Sequence, residues 1–66
     1  MEHVLPDRDE VFVGTVVSNV PFGSFVEHPG GAHGLLHGET AEVGARVRVR
    51  VLEVDPARDR FSLGLA

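Results

Sequence analysis

Between Arg46 and Val51 the chain alternates arginine and valine without interruption. A period of two places Val47, Val49 and Val51 on one face of an extended strand and the three arginines on the other. After Val51 the phase breaks, because Leu52 and Val54 are apolar around Glu53. That break predicts a bulge, which keeps both apolar sets useful to one core. Asp55–Asp59 carries turn chemistry, with Pro56 as its second residue. From Arg60 to Ala66 the alternation resumes, with Phe61, Leu63 and Leu65 expected inward and Arg60, Ser62 and Gly64 outward.

The rest of the chain follows the same idiom. Val11–Ser18 is a β-rich run in which Gly14 marks a bend or a close backbone approach. Asn19–Gly23 turns the chain into a short strand, Ser24–His28, and Pro29-Gly30-Gly31 is a hairpin signal before His33–His37. Gly38–Gly44 connects to the alternating strand. Residues 1–9 are read as a lead-in, and residues 10–66 as one domain. The apolar patch Val4-Leu5-Pro6 is expected to pack over a barrel end.

Five short strands in 66 residues leave little room for a core. A chain of this size buries only about 60% of its unfolded surface. It has no cysteine, so disulfides and thiolate zinc sites are excluded. A sheet curled into a small barrel meets the need, and the expected core is Val16, Val47, Val49, Val51, Phe61 and Leu63. Strand number alone allows an OB-fold or an SH3-like barrel.

Charge and motif narrow the function. No apolar run is long enough to span a membrane, and the acidic start is unlike a signal peptide, so a cytoplasmic setting with no membrane partner is expected. The formal net charge of −4 divides unevenly, at −6 over residues 1–43 and +2 over residues 44–66. Five of the six cations, all arginine, lie in that last part. No serine has a base and an orienting group nearby in sequence, and Pro-Gly-Gly-Ala lacks the lysine and helix of a phosphate loop. His33 and His37 on one strand stand roughly 13 Å apart, too far to share an ion. The expectation is a protein without cofactor or metal, and not an enzyme.

Four segments then occur in order: Gly14-Thr15-Val16 with Phe22-Gly23-Ser24-Phe25-Val26, Gly34-Leu35-Leu36-His37, Val43-Gly44 leading to Val51-Leu52-Glu53-Val54-Asp55, and Arg60-Phe61-Ser62-Leu63. Together they strongly resemble the S1 RNA-binding domain, from about Glu10 to Ala66. The resemblance implies an all-β, five-stranded antiparallel OB-fold barrel. Relative to that family, the connection between the third and fourth strands is shortened, normally carrying a short helical turn. The implied RNA-binding residues are Phe22, Phe25, His37, Asp55 and Arg60, converging on one patch. The implied partner is single-stranded RNA, bound by a monomer that works alone or within a larger RNA-processing or ribosomal assembly.

Other readings stay open at this stage. Phe22 and Phe25 are also ordinary core residues in an anonymous β sequence. Asp55 also suits a turn cap before Pro56. The arginine face of the alternating strand reads first as a solvated face and second as an RNA groove. The alternative function is a protein-binding or structural barrel that has lost strong RNA affinity.

Overall fold

A computed structural model describes residues 5–66. Five strands follow in chain order: β1 (Val11–Val20), β2 (Gly23–Glu27), β3 (His33–His37), β4 (Arg46–Asp55) and β5 (Arg60–Leu65). They close into a barrel in the order β1-β2-β3-β5-β4. Four neighbouring pairs are antiparallel, but β3 and β5 run parallel. The expectation of a wholly antiparallel barrel is therefore corrected, and the reason is geometric. Strand directions cannot alternate around a ring of five, so at least one neighbouring pair must share a direction.

The core follows the valine phase. Val16, Val49, Val51, Phe61 and Leu63 are buried, and Val47 packs against them half-buried. Phe12, Val26, Ala32 and Leu36 complete the cluster. The alternation of β4 breaks where its sequence does, with a register shift between Val51 and Glu53. Leu52 keeps the outward phase of the arginines, 45% exposed, and the shift leaves Glu53 outward beside it and returns Val54 to the core. Leu65 departs from the inward expectation at 58% exposed. It is exposed at the end of β5 even though its register partner, Val49, is buried in the core.

Two glycines allow the barrel to close tightly. A Cβ at Gly14 would lie 2.4 Å from Val26 and 2.7 Å from the Glu27 carbonyl. A Cβ at Gly34 would lie 2.2 Å from the Phe61 ring. β1 also carries a register shift between Val16 and Ser18, where it passes from β4 to β2 as its partner.

The short connection between β3 and β4 is held by hydrogen bonds rather than a helical turn. Gly38 N donates to Phe22 O at 2.9 Å, and Gly44 N to Val16 O at 2.7 Å. Val16 N donates in return to Ala45 O at 2.9 Å. At the centre is Ser24, which is fully buried. Its Oγ accepts from Ala41 N at 3.0 Å and donates to Asn19 Oδ1 at 2.7 Å. Ala41 and Ala45 pack against the core from this segment.

On the N-terminal side Leu5 packs against the core and Pro6 is buried, while Val4 lies outside the described residues. Asp9 N donates to Val51 O, and Val51 N donates to Glu10 O, both at 2.9 Å. The segment before β1 is thus tied to β4.

Candidate nucleic-acid interface

The outer faces of β2, β3 and β5 supply the candidate site. Register pairs Ser18 with Phe25, Phe25 with Leu35, Leu35 with Ser62 and Ser62 with Glu53. These five residues make one row across the outside of the sheet. Above it lies a shallow groove of about 900 Å³, lined by Phe22, Phe25, Leu35, Arg58, Arg60 and their neighbours. A second concavity of about 480 Å³ adjoins it and contains His37, Glu53 and Asp55. Leu35, Arg60 and Phe61 line both.

Phe22 occupies the turn between β1 and β2 and is 59% exposed. Such exposure of a large apolar ring costs hydration free energy unless a ligand covers it. Its ring stacks on His37 with centroids 6.4 Å apart and an interplanar angle of 27°. That placement follows from the pairing of Gly23 with His37, which aligns the start of β2 with the end of β3. Phe25 is half-buried one turn of the pleat away. Neither ring belongs to the barrel core.

Arg60 opens β5 opposite Asp55 in register. Asp55 nonetheless pairs with Arg58, whose Nε lies 3.9 Å from its Oδ2. Arg58 N also donates to the Asp55 carbonyl at 3.2 Å. Arg60 forms no ion pair among the described residues. Phe22, Phe25 and Arg60 thus share the first concavity, while His37, Asp55 and Arg60 share the second. Glu39, which follows His37 closely in sequence, lines neither.

Sequence reasoning missed several contributors. Leu35 lies at the centre of the outer row, and its signal was an apolar residue in the outward phase between Gly34 and Leu36. Val17 and Ser18 line the groove together because the β1 register shift turns both outward. His28 was missed entirely, although it props the turn that brings Gly31, Ala32 and His33 to the groove. Its Nδ1 accepts from Gly30 N at 2.9 Å, and its ring meets Phe12 edge-on at 4.5 Å. Its Nε2 lies 2.8 Å from Glu10 Oε2. That hydrogen bond holds the Glu10 carboxyl below the usual glutamate range, against an opposing effect of burial.

No group of three or more metal-ligating side chains exists among the described residues. The arrangement offers apolar rings, two guanidinium groups and an imidazole around an open groove. Its chemistry suits flat, anionic, flexible ligands.

The comparisons with known proteins agree with this surface chemistry. Residues 5–66 match the family model described as S1 RNA binding domain. The polyribonucleotide nucleotidyltransferase of Amoebophilus asiaticus is 38% identical over 70 residues, covering 88% of this chain and 10% of that protein. Small ribosomal subunit protein bS1 of Staphylococcus haemolyticus is 36% identical over 70 residues, covering 88% of this chain and 18% of that protein. The chain therefore spans between 10% and 18% of the length of these two relatives. In fold, it is similar to the uncharacterized protein MJ1198 of Methanocaldococcus jannaschii, with a TM-score of 0.82 over 96% of each chain and 18% identity.

Proposed function

Because the chain belongs to the S1 RNA-binding domain family, we propose that it holds single-stranded RNA in the groove between Phe22 and Arg60. The observation that carries this reading is the exposed Phe22 ring, stacked on His37 at the mouth of a groove that contains Phe25. Bases stack on Phe22 and Phe25, which accept any base because every base has an aromatic face. Arg60, free of an acidic partner among the described residues, pairs with phosphate or stacks on a base. His37 supplies a hydrogen bond and the rear face of the Phe22 stack. Asp55 acts beside them by orienting Arg58.

A net charge of −4 gives little long-range attraction to RNA, so contacts at short range carry the affinity. The module binds as a monomer and performs no chemistry itself. Its names among the relatives, a polyribonucleotide nucleotidyltransferase and a small ribosomal subunit protein, support a setting in RNA metabolism or translation.

The test is a titration with a labelled single-stranded oligonucleotide and with the same sequence as a duplex. NMR shift changes are expected at Phe22, Phe25 and His37 with the single strand, and much weaker binding with the duplex, whose bases are not free to stack. Shift changes confined to other faces, or none, favour the protein-binding alternative.

A further inference from the structure

The three arginines of β4 stand apart from the groove, on the outer face that β4 shares with the first half of β1. Arg46 pairs in register with Thr15, Arg48 with Val13 and Arg50 with Val11. All three are exposed, and none takes part in an ion pair among the described residues. Each lies two positions along the strand from the next, so the arginine side chains leave the backbone about 7 Å apart. Beside them Val11 and Val13 are 38% and 43% exposed. In a chain with an acidic total, this is a row of uncompensated positive charge edged with apolar surface.

One strand connects that row to the groove. The outward residues of β1 begin as Val11, Val13 and Thr15 beside the arginines, and continue as Val17 and Ser18 in the groove lining. None of these five is charged. The carboxylate opposite Thr15 is that of Glu27 on β2, which lies 3.7 Å from His33 Nε2. The barrel measures 27 × 23 × 20 Å. OB folds engage about 4–16 nucleotides, so a bound strand at the upper end of that range is long enough to leave the groove and follow β1.

We infer that Arg46, Arg48 and Arg50 form a second, phosphate-binding track for the same RNA strand, reached from the groove along the outer face of β1. The inference rests on the groove reading and extends it. A guanidinium fork matches phosphate geometry and carries no base preference, so the track adds affinity and not sequence choice. RNA is favoured over an acidic protein because the track continues an RNA groove along a strand face that carries no carboxylate of its own.

The experiment uses the full chain and two labelled oligouridylates, of about 5 and about 16 nucleotides. It compares the parent with the triple variant R46Q/R48Q/R50Q, the triple variant R46K/R48K/R50K, and Phe22→Ala, each checked for folding by circular dichroism. The glutamine triple should bind the short oligonucleotide like the parent. It should bind the long one several-fold more weakly, with a log-affinity against log-salt slope flattened by up to about 2 if three phosphates are lost. The lysine triple should recover most of that loss, since charge is retained. Parental affinity and slope for the long oligonucleotide in the glutamine triple overturn the track while leaving the groove intact. Equal loss on both lengths also overturns it, because the arginines then act through their general field. Parental binding of the short oligonucleotide by Phe22→Ala overturns the groove reading, and the track with it.

Discussion

Glu10 accepts a hydrogen bond from His28 at 2.8 Å, across eighteen positions of sequence, and that bond joins the start of β1 to the β2–β3 turn. The opposite ring nitrogen of His28 accepts from Gly30 N at 2.9 Å. An acceptor at Nδ1 and a donor at Nε2 require the tautomer with its proton on Nε2. The same imidazole packs edge-on against Phe12 and Phe61. A polar contact therefore positions the backbone that forms one wall of the groove.

The acid dependence of this contact is the first prediction. The folded Glu10 carboxyl lies below its ordinary range, chiefly through the His28 hydrogen bond. The unfolded chain therefore takes up that proton first as pH falls. Stability from the pair is present above the ordinary glutamate range and is lost as pH falls through the folded value. Glu10→Gln should be less stable than the parent at about pH 7, and the gap should close at an acid pH below the folded Glu10 value. Urea melts at both pH values measure it, and a gap that persists in acid contradicts this account.

A second prediction concerns Ser24, whose buried hydroxyl satisfies Ala41 N and reaches Asn19. Ser24→Ala should cost about 1–3 kcal/mol, because it leaves the Ala41 amide without its acceptor. The loosened segment is the short β3–β4 connection, so its amides should exchange faster with solvent than those of β1. Hydrogen exchange followed by NMR resolves the two regions. Uniform acceleration across the barrel would indicate a simple global loss instead.

Gly34→Ala is expected to act on both stability and the groove. Its methyl group would meet the Phe61 ring at 2.2 Å, with two further ring atoms at 2.4 and 3.0 Å. The ring must move, at a cost of about 1–3 kcal/mol typical of overpacking. Phe61 lines the groove as well as the core. Lower melting temperature should therefore accompany weaker RNA binding in the same variant. An added substitution, Phe61→Leu, should restore part of the stability, and its failure to do so would place the strain elsewhere.

The last prediction separates stacking from charge within the groove. Phe22→Ala should weaken single-stranded RNA binding by about 1–3 kcal/mol without changing its salt dependence. Its fold should be unaffected, since the ring is 59% exposed and outside the core. Phe25→Ala should lose a similar amount, and Arg60→Ala should flatten the salt slope by about 0.7 if the guanidinium meets one phosphate. Titrations at several salt concentrations distinguish the two behaviours. An unchanged Phe22→Ala affinity would remove the aromatic platform from the mechanism.

What the sequence determined by itself is whatever a strand's two-residue period settles locally. The valines of β4 face inward, its arginines face outward, and the phase break after Val51 becomes a register shift. The order of motifs likewise announced the barrel, and of the residues the resemblance implied, Phe22 and Phe25 line one concavity, His37 and Asp55 the adjoining one, and Arg60 both. Tertiary structure decided the rest, because those features join residues whose spacing carries no period. The parallel β3–β5 pair follows from closing an odd ring, which no single strand encodes. Leu35 enters the groove because β2 and β5 flank it, and Leu65 is exposed although it pairs with the buried Val49. Asp55 turns to Arg58 rather than Arg60 because the loop brings that side chain to it. The Glu10–His28 bond exists only once the barrel has brought β1 and the β2–β3 turn together, since neither residue has a local reason to seek the other.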